Sequence, residues 1–181
     1  MDGDLRFIHV NTNREIENLA AITEENNQVS TESLWYFAYG SNLSKSQMQN
    51  RVGAWKESRK VLLRGWKLLF NVHSVRWGGG TANIVQTSNS NDLVYGVVYL
   101  ITESQLEILT KKYEKVSPQN ITVESDRQKI IAKVYLFKQD NPKLKVAPKY
   151  LKTIIKGLID HGYSDDVIHS VSLEAGSFPI T

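Results

Sequence analysis

The chain has 181 residues, 41% of them hydrophobic, which is enough for one ordinary domain with a single core. It contains no cysteine, which excludes disulfides, thiolate zinc sites and a cysteine nucleophile, so any chemistry must rest on oxygen and nitrogen side chains. The 22 Lys and Arg against 19 Asp and Glu give a net charge of +3; the late lysines (Lys138, Lys143, Lys145, Lys149, Lys152, Lys156) lack interleaved aromatics and read as a solvated face, not a nucleic-acid surface.

Residues 1–33 are rich in Asn, Glu, Thr and Ser, with one amphipathic turn from Arg14 to Ile22, and read as an N-terminal extension to a domain over 34–181. The start carries Asp2 and Asp4 without a basic segment and apolar run, unlike a secretory signal. The longest apolar stretch, Leu93 to Ile101, is far short of the roughly 20 residues a membrane span needs. The expectation is a soluble cytoplasmic protein with no membrane partner.

Leu34 to Tyr39 is an aromatic run that breaks at Gly40, the pattern of a buried strand entering a turn, and a short helix over 45–51 follows. Strand patterns then occur at Ser58–Leu63, Trp66–Val72, Ala82–Gln86 and Val94–Leu100, punctuated by Gly65, the Gly78-Gly79-Gly80 run and Asn89 to Asp92. Thr102 and Gln105 form a capping-box pair, so a helix is expected from Glu103 to Lys112 with Leu106, Leu109 and Tyr113 on one face. A strand from Ile130 to Gln139, a loop between Pro142 and Pro148, and an amphipathic helix over 149–162 using Leu151, Ile154, Ile155, Leu158 and Ile159 complete the series. Strands and helices do not alternate regularly, which points to an α+β fold: a small twisted mixed sheet closing into a partial barrel with flanking helices.

Three places could carry chemistry. Tyr39-Gly40-Ser41-Asn42 offers a glycine and small polar residues whose N–H groups can converge on a carboxylate or oxyanion; it is equally a plain strand-to-helix turn. Gly79 and Gly80, with Asn83 in the strand beyond them, could pack against a ligand or against neighbouring backbone, and Asn83 alone reads more readily as a satisfied interior amide. Glu114 ends an otherwise apolar helix face, where burial would raise its pKa toward neutrality, although Lys111, Lys112 and Lys115 also suit a surface glutamate. His9, His73, His161 and His169 show no metal-ligand spacing, so no metal is expected.

Phe37 to Leu43, Leu63-Arg64-Gly65-Trp66, Phe70-Asn71, Gly78 to Val85, Val94 to Tyr99 and Leu106 with Leu109 follow one another as in the γ-glutamylcyclotransferases, which the chain resembles over about residues 35–120. The resemblance implies a cofactor-independent lyase-type enzyme that converts a γ-glutamyl amino acid or peptide into 5-oxoproline and a free amine. It implies Glu114 as general acid and base, with Tyr39, Gly40, Ser41, Asn42, Leu43, Gly79, Gly80 and Asn83 around the substrate, in a monomer or homodimer. Other uses of the scaffold are γ-glutamylamine or other acyl-amine substrates, or binding without turnover. The family places its glutamate four residues after the leucine matching Leu109; here that position is Tyr113, and a one-residue bulge would bring Glu114 into register. The aspartate and glycine that flank the family's glutamate are replaced within Thr110-Lys111-Lys112 and by Lys115, and its later aromatic by Asn120 or Ile121.

Overall fold

The computed structural model describes residues 32–113, 116–138 and 144–176; the expected turn over 14–22 and Glu114 lie outside them. Five strands, β1 (Ser33–Ala38), β2 (Glu57–Arg64), β5 (Leu93–Thr102), β6 (Gln119–Ser125) and β7 (Gln128–Val134), form a closed barrel in the order β1-β5-β2-β6-β7. β5 pairs antiparallel with β1 (Ala38 opposite Val97) and with β2 (Val61 opposite Gly96), and a parallel pairing of Tyr36 with Lys133 closes the ring. The barrel is therefore complete, where the sequence suggested partial closure.

β5 is buried continuously from Gly96 to Tyr99, as expected of a strand covered on both faces: one fills the barrel and the other meets helices. Phe37, Val97, Val98, Val123 and Val134 have essentially no exposure. Outside the barrel, β3 (Trp66–Ser74) and β4 (Gly79–Gln86) make a separate two-stranded hairpin with a bulge between Leu69 and Val72.

A single 3-10 turn, Ser41–Leu43, leads from β1 into α1 (Lys45–Val52), which Ser44 caps by accepting from Gln47 N–H. Helix α2 (Glu103–Lys112) has the full capping box at Thr102 and Gln105; the Gln105 amide also donates to the carbonyls of Val52 (2.9 Å) and Ala54 (2.6 Å), binding the start of α2 to the end of α1. Helix α3 (Pro148–Asp160) starts on a proline whose missing N–H costs nothing there, and it buries Tyr150, Leu151, Ile154 and Leu158. Ile159, expected on that face, is instead exposed, because the stripe turns toward Gly157. A Cβ at Gly157 would run into Leu43, so α3 lies directly on the 3-10 turn at a distance only glycine permits.

Two elements were not anticipated. β6 carries only Ile121 and Val123 as apolar residues, both inward, and its turn to β7 is made by Asp126 and Arg127 at positive φ, a hairpin turn without the usual Asn-Gly signal. Helix α4 (Asp165–Glu174) follows Ser164, which makes no side-chain cap. The strand expected over 130–139 is β7, which ends at Val134.

Candidate active site

A cavity of about 430 Å³ opens between the 3-10 turn, the tip of the β3–β4 hairpin, the end of α2 and the start of α3. Tyr39, Gly40, Ser41 and Asn42 all line it. The turn is closed by bonds from Leu43 N–H to Gly40 O (2.9 Å) and Ser44 N–H to Ser41 O (3.2 Å). The N–H groups of Ser41 and Asn42 donate to no backbone carbonyl among the described residues, as at the start of any short helix.

Gly40 is needed here for a reason absent from the local sequence. Its φ is negative, but a Cβ would stand 2.5 Å from the Tyr150 hydroxyl, which comes in from α3 and accepts from Ala82 N–H (3.1 Å). Trp77, at the hairpin tip, meets the Tyr150 ring edge-on at 5.1 Å and also lines the cavity. Burial holds the hydroxyls of Tyr36, Tyr39 and Tyr150 well above the usual phenol range, so each remains protonated at neutral pH. Tyr39 spends its proton on Tyr135 O (2.6 Å).

Asn42 is the junction of the two walls. Its Nδ2 donates to Tyr36 Oη (2.8 Å) and Tyr113 Oη (3.1 Å), and its Oδ1 accepts from Arg51 Nη1 (2.6 Å). Arg51 Nη1 also donates to Tyr113 Oη (3.2 Å). The Tyr113 hydroxyl thus accepts from two donors and keeps its own proton to give, pointing from the α2 wall. Tyr113 is the C-cap of α2, its backbone leaving the helix (φ −102°, ψ 52°) while its N–H bonds to Leu109 O (3.3 Å) and Thr110 O (3.1 Å); the expected bulge that would bring Glu114 into register lies beyond it, outside the described residues. Tyr113 and Val116, the described residues on either side of 114 and 115, both line the cavity.

Leu43, Gly79, Gly80 and Asn83 stand outside the lining. Leu43 is buried beneath α3, and its carbonyl accepts from Tyr99 Oη (3.1 Å). Gly80 donates to Lys145 O (2.8 Å) and accepts from Ala147 N–H (3.2 Å), so the glycines bring backbone against backbone, while Gly79 pairs with Ser74 in the hairpin. Asn83, wholly buried, donates to Phe137 O (2.8 Å) and accepts from Phe137 N–H (3.1 Å), a satisfied interior amide. Arg51, Arg76, Lys112, Tyr135 and Tyr150 line the cavity without having been singled out. They come from distant elements, and only the fold brings them together.

No aspartate or glutamate among the described residues lines the cavity, whereas Arg51, Arg76 and Lys112 do, so its walls favour an anion. Nor do three or more His, Asp or Glu side chains converge among the described residues as a metal site would require.

A family model described as gamma-glutamyl cyclotransferase, AIG2-like, matches residues 36–152. The chain belongs to this family. It is 30% identical over 139 residues to the bovine (Bos taurus) gamma-glutamylcyclotransferase, covering 72% of this chain and 73% of that one. Among solved structures, a gamma-glutamyl cyclotransferase superposes with a TM-score of 0.70 at 27% identity, over 78% of this chain and 87% of that one. A yeast gamma-glutamyl cyclotransferase specific to glutathione shares the fold, with a TM-score of 0.58 at 11% identity over 81% and 95% of the two chains. The cavity of this family member is walled by the strand-to-helix turn on one side and the end of α2 on the other.

Proposed function

We propose that the protein binds a γ-glutamyl amino acid or peptide in this cavity and cyclises its γ-glutamyl group to 5-oxoproline, releasing the amine. The observation that carries this reading is the shared cavity: the Tyr39–Asn42 turn and the end of α2 line one space, joined through the Asn42–Tyr113 hydrogen bond. The cationic lining suits the carboxylates of such a substrate.

The reaction is intramolecular. The α-amine attacks the γ-carbonyl carbon, a ring C–N bond forms, the original amide C–N bond breaks, and one proton passes from the attacking nitrogen to the leaving one. Holding the two reacting atoms about 3 to 3.5 Å apart supplies much of the acceleration, and no water or co-reactant is consumed. Glu114 carries the proton in both directions, a role supported by its position between the lining residues Tyr113 and Val116. The Asn42 N–H group and the Tyr113 hydroxyl are donors for the oxyanion or the glutamyl carboxylate, the Ser41 N–H being directed at the Tyr150 hydroxyl; one such donor is worth roughly 3 to 4 kcal/mol in related sites.

The test is incubation of the purified chain with γ-glutamyl dipeptides and detection of 5-oxoproline, with Glu114→Gln beside it. The variant should lose on the order of a hundredfold or more in kcat. Full activity in Glu114→Gln removes that residue from the mechanism. Absence of product from a broad panel favours the second reading, a binding protein without turnover. That reading is supported by the tyrosine standing where family spacing places a carboxylate, clamped by Arg51 and Asn42.

A further inference from the structure

Beside the cavity lies a second cleft of about 420 Å³, walled by α1, α3 and the ends of the hairpin and α2. Five cations face it: Arg51, Arg76, Lys112, Lys152 and Lys156. Among the described residues no carboxylate lines it. Asp160 engages one of the five from the side, accepting from Lys156 Nζ at 2.8 and 2.9 Å and from Lys45 N–H at 3.2 Å. Arg51, Arg76 and Lys112 wall both spaces, so the cleft adjoins the cavity at its positive edge.

One further observation points to an anion in the cleft. Ser44, Ser46 and Gln47 place the N-terminal end of α1 on its wall, where the helix dipole favours negative charge; the Lys45 N–H there is taken by Asp160 and the Gln47 N–H by Ser44 Oγ. Apart from Lys156, paired with Asp160, the cations have no counter-charge among the described residues, and a multiply charged ligand relieves their mutual repulsion.

We infer that this cleft receives the leaving amine, and that this amine carries two or more negative charges, as phosphate or as several carboxylates. The inference rests on the cyclotransferase reading and adds to it the class of leaving group. The γ-glutamyl moiety occupies the cavity, and the amine extends past Arg51, Arg76 and Lys112 toward Lys152, Lys156 and the α1 end. An amino acid with a single carboxylate satisfies the shared edge and leaves the outer lysines unused.

The experiment measures kcat/KM from 5-oxoproline release for four amides in the full chain: γ-glutamyl-alanine, γ-glutamyl-glutamate, γ-glutamyl-glutamyl-glutamate and γ-glutamyl-phosphoethanolamine. The multiply charged amides should exceed γ-glutamyl-alanine by on the order of tenfold or more, and about 0.5 M salt should compress the ratio. The two charged chemistries separate phosphate from carboxylate recognition. Lys152→Glu and Arg76→Ala, both at exposed positions, should each cut the ratio several-fold. Equal kcat/KM across the four, or a ratio indifferent to both variants and to salt, overturns the inference while leaving cyclotransfer intact. If none of the amides turns over, the cyclotransferase reading fails separately, and the cleft is judged by calorimetric titration with phosphoethanolamine and glutamyl-glutamate. Binding weakened by Lys152→Glu supports it, and no binding at millimolar concentration overturns it.

Discussion

The two walls of the cavity are built in opposite ways. The Tyr39–Asn42 wall is clamped from behind: α3 lies on Leu43 at Gly157, the Tyr150 hydroxyl fills the space above Gly40, and Tyr99 donates to the Leu43 carbonyl. The α2 wall is a helix end among exposed lysines, tied across the cavity by the Tyr113 hydroxyl to Asn42 and Arg51. The first wall is fixed by close backbone packing and tolerates little change; the second is fixed by the Tyr113 ring against Tyr135 and Phe137 and by the polar contacts of its hydroxyl, and those polar contacts can be altered without unfolding the barrel. Recognition of a γ-glutamyl group and the chemistry done on it can thus diverge on one scaffold.

The strongest challenge to that contrast is Gly157→Val. Its side chain meets the Leu43 backbone, which cannot give way like a flexible side chain, so a loss of about 3 kcal/mol or more in urea unfolding is expected, with weakened ligand binding. A stable Gly157→Val chain with intact binding would mean the turn is not held by α3. Next comes Gly40→Ala, expected to cost about 1–3 kcal/mol by displacing Tyr150. Adding Tyr150→Phe removes the opposing oxygen, and the double variant should recover part of that loss; strict additivity would deny the contact.

A pH experiment probes the same clamp from underneath. The His161 imidazole lies 2.9 Å from Tyr99 Oη, and its pKa is lowered to about 4, first by burial and then by Lys45, against the raising effects of the Leu43 backbone and Asp160. The unfolded imidazole titrates near 6.5, so between pH 6.5 and 4 the unfolded chain binds the extra proton. Stability should therefore fall as pH falls through that window and level off below it, by about 1–2 kcal/mol once partial exposure is discounted. His161→Gln should flatten that segment of the profile, and an unchanged slope would place its origin elsewhere. The smallest effect belongs to the softer wall. Tyr113→Phe removes one acceptor shared by two donors that keep other partners, so about 1 kcal/mol of stability is at stake, while the KM for a γ-glutamyl dipeptide rises several-fold. An unaltered KM would remove the Tyr113 hydroxyl from the substrate's surroundings.

The same division governs what the chain discloses before it folds. The turn and the α2 capping box are written in consecutive residues, and both are legible. The β6–β7 hairpin was not, because Asp126-Arg127 carries no glycine to advertise positive φ and β6 has only two apolar residues. Helix α4 lacks a side-chain cap, and its apolar residues are too sparse to set a stripe. Tyr150 and Arg51 reach the cavity through tertiary packing, which no local pattern encodes, and the triple-glycine run faces the Lys145–Ala147 backbone for the same reason.

Gln105 gives the α2 wall a fulcrum. Its amide locks the start of the helix to Val52 and Ala54, while the other end carries Lys112 and then Tyr113, eight positions beyond Gln105, into the cavity. At 1.5 Å per residue the lever is about 12 Å long, so a tilt of only ~5° at Gln105 moves the far end by about 1 Å. Displacements of that size cost about a hundredfold in a reaction that depends on alignment. Under the proposed reaction, a side chain well away from the reacting atoms therefore sets their spacing, and the rate is open to retuning from there without touching the cavity.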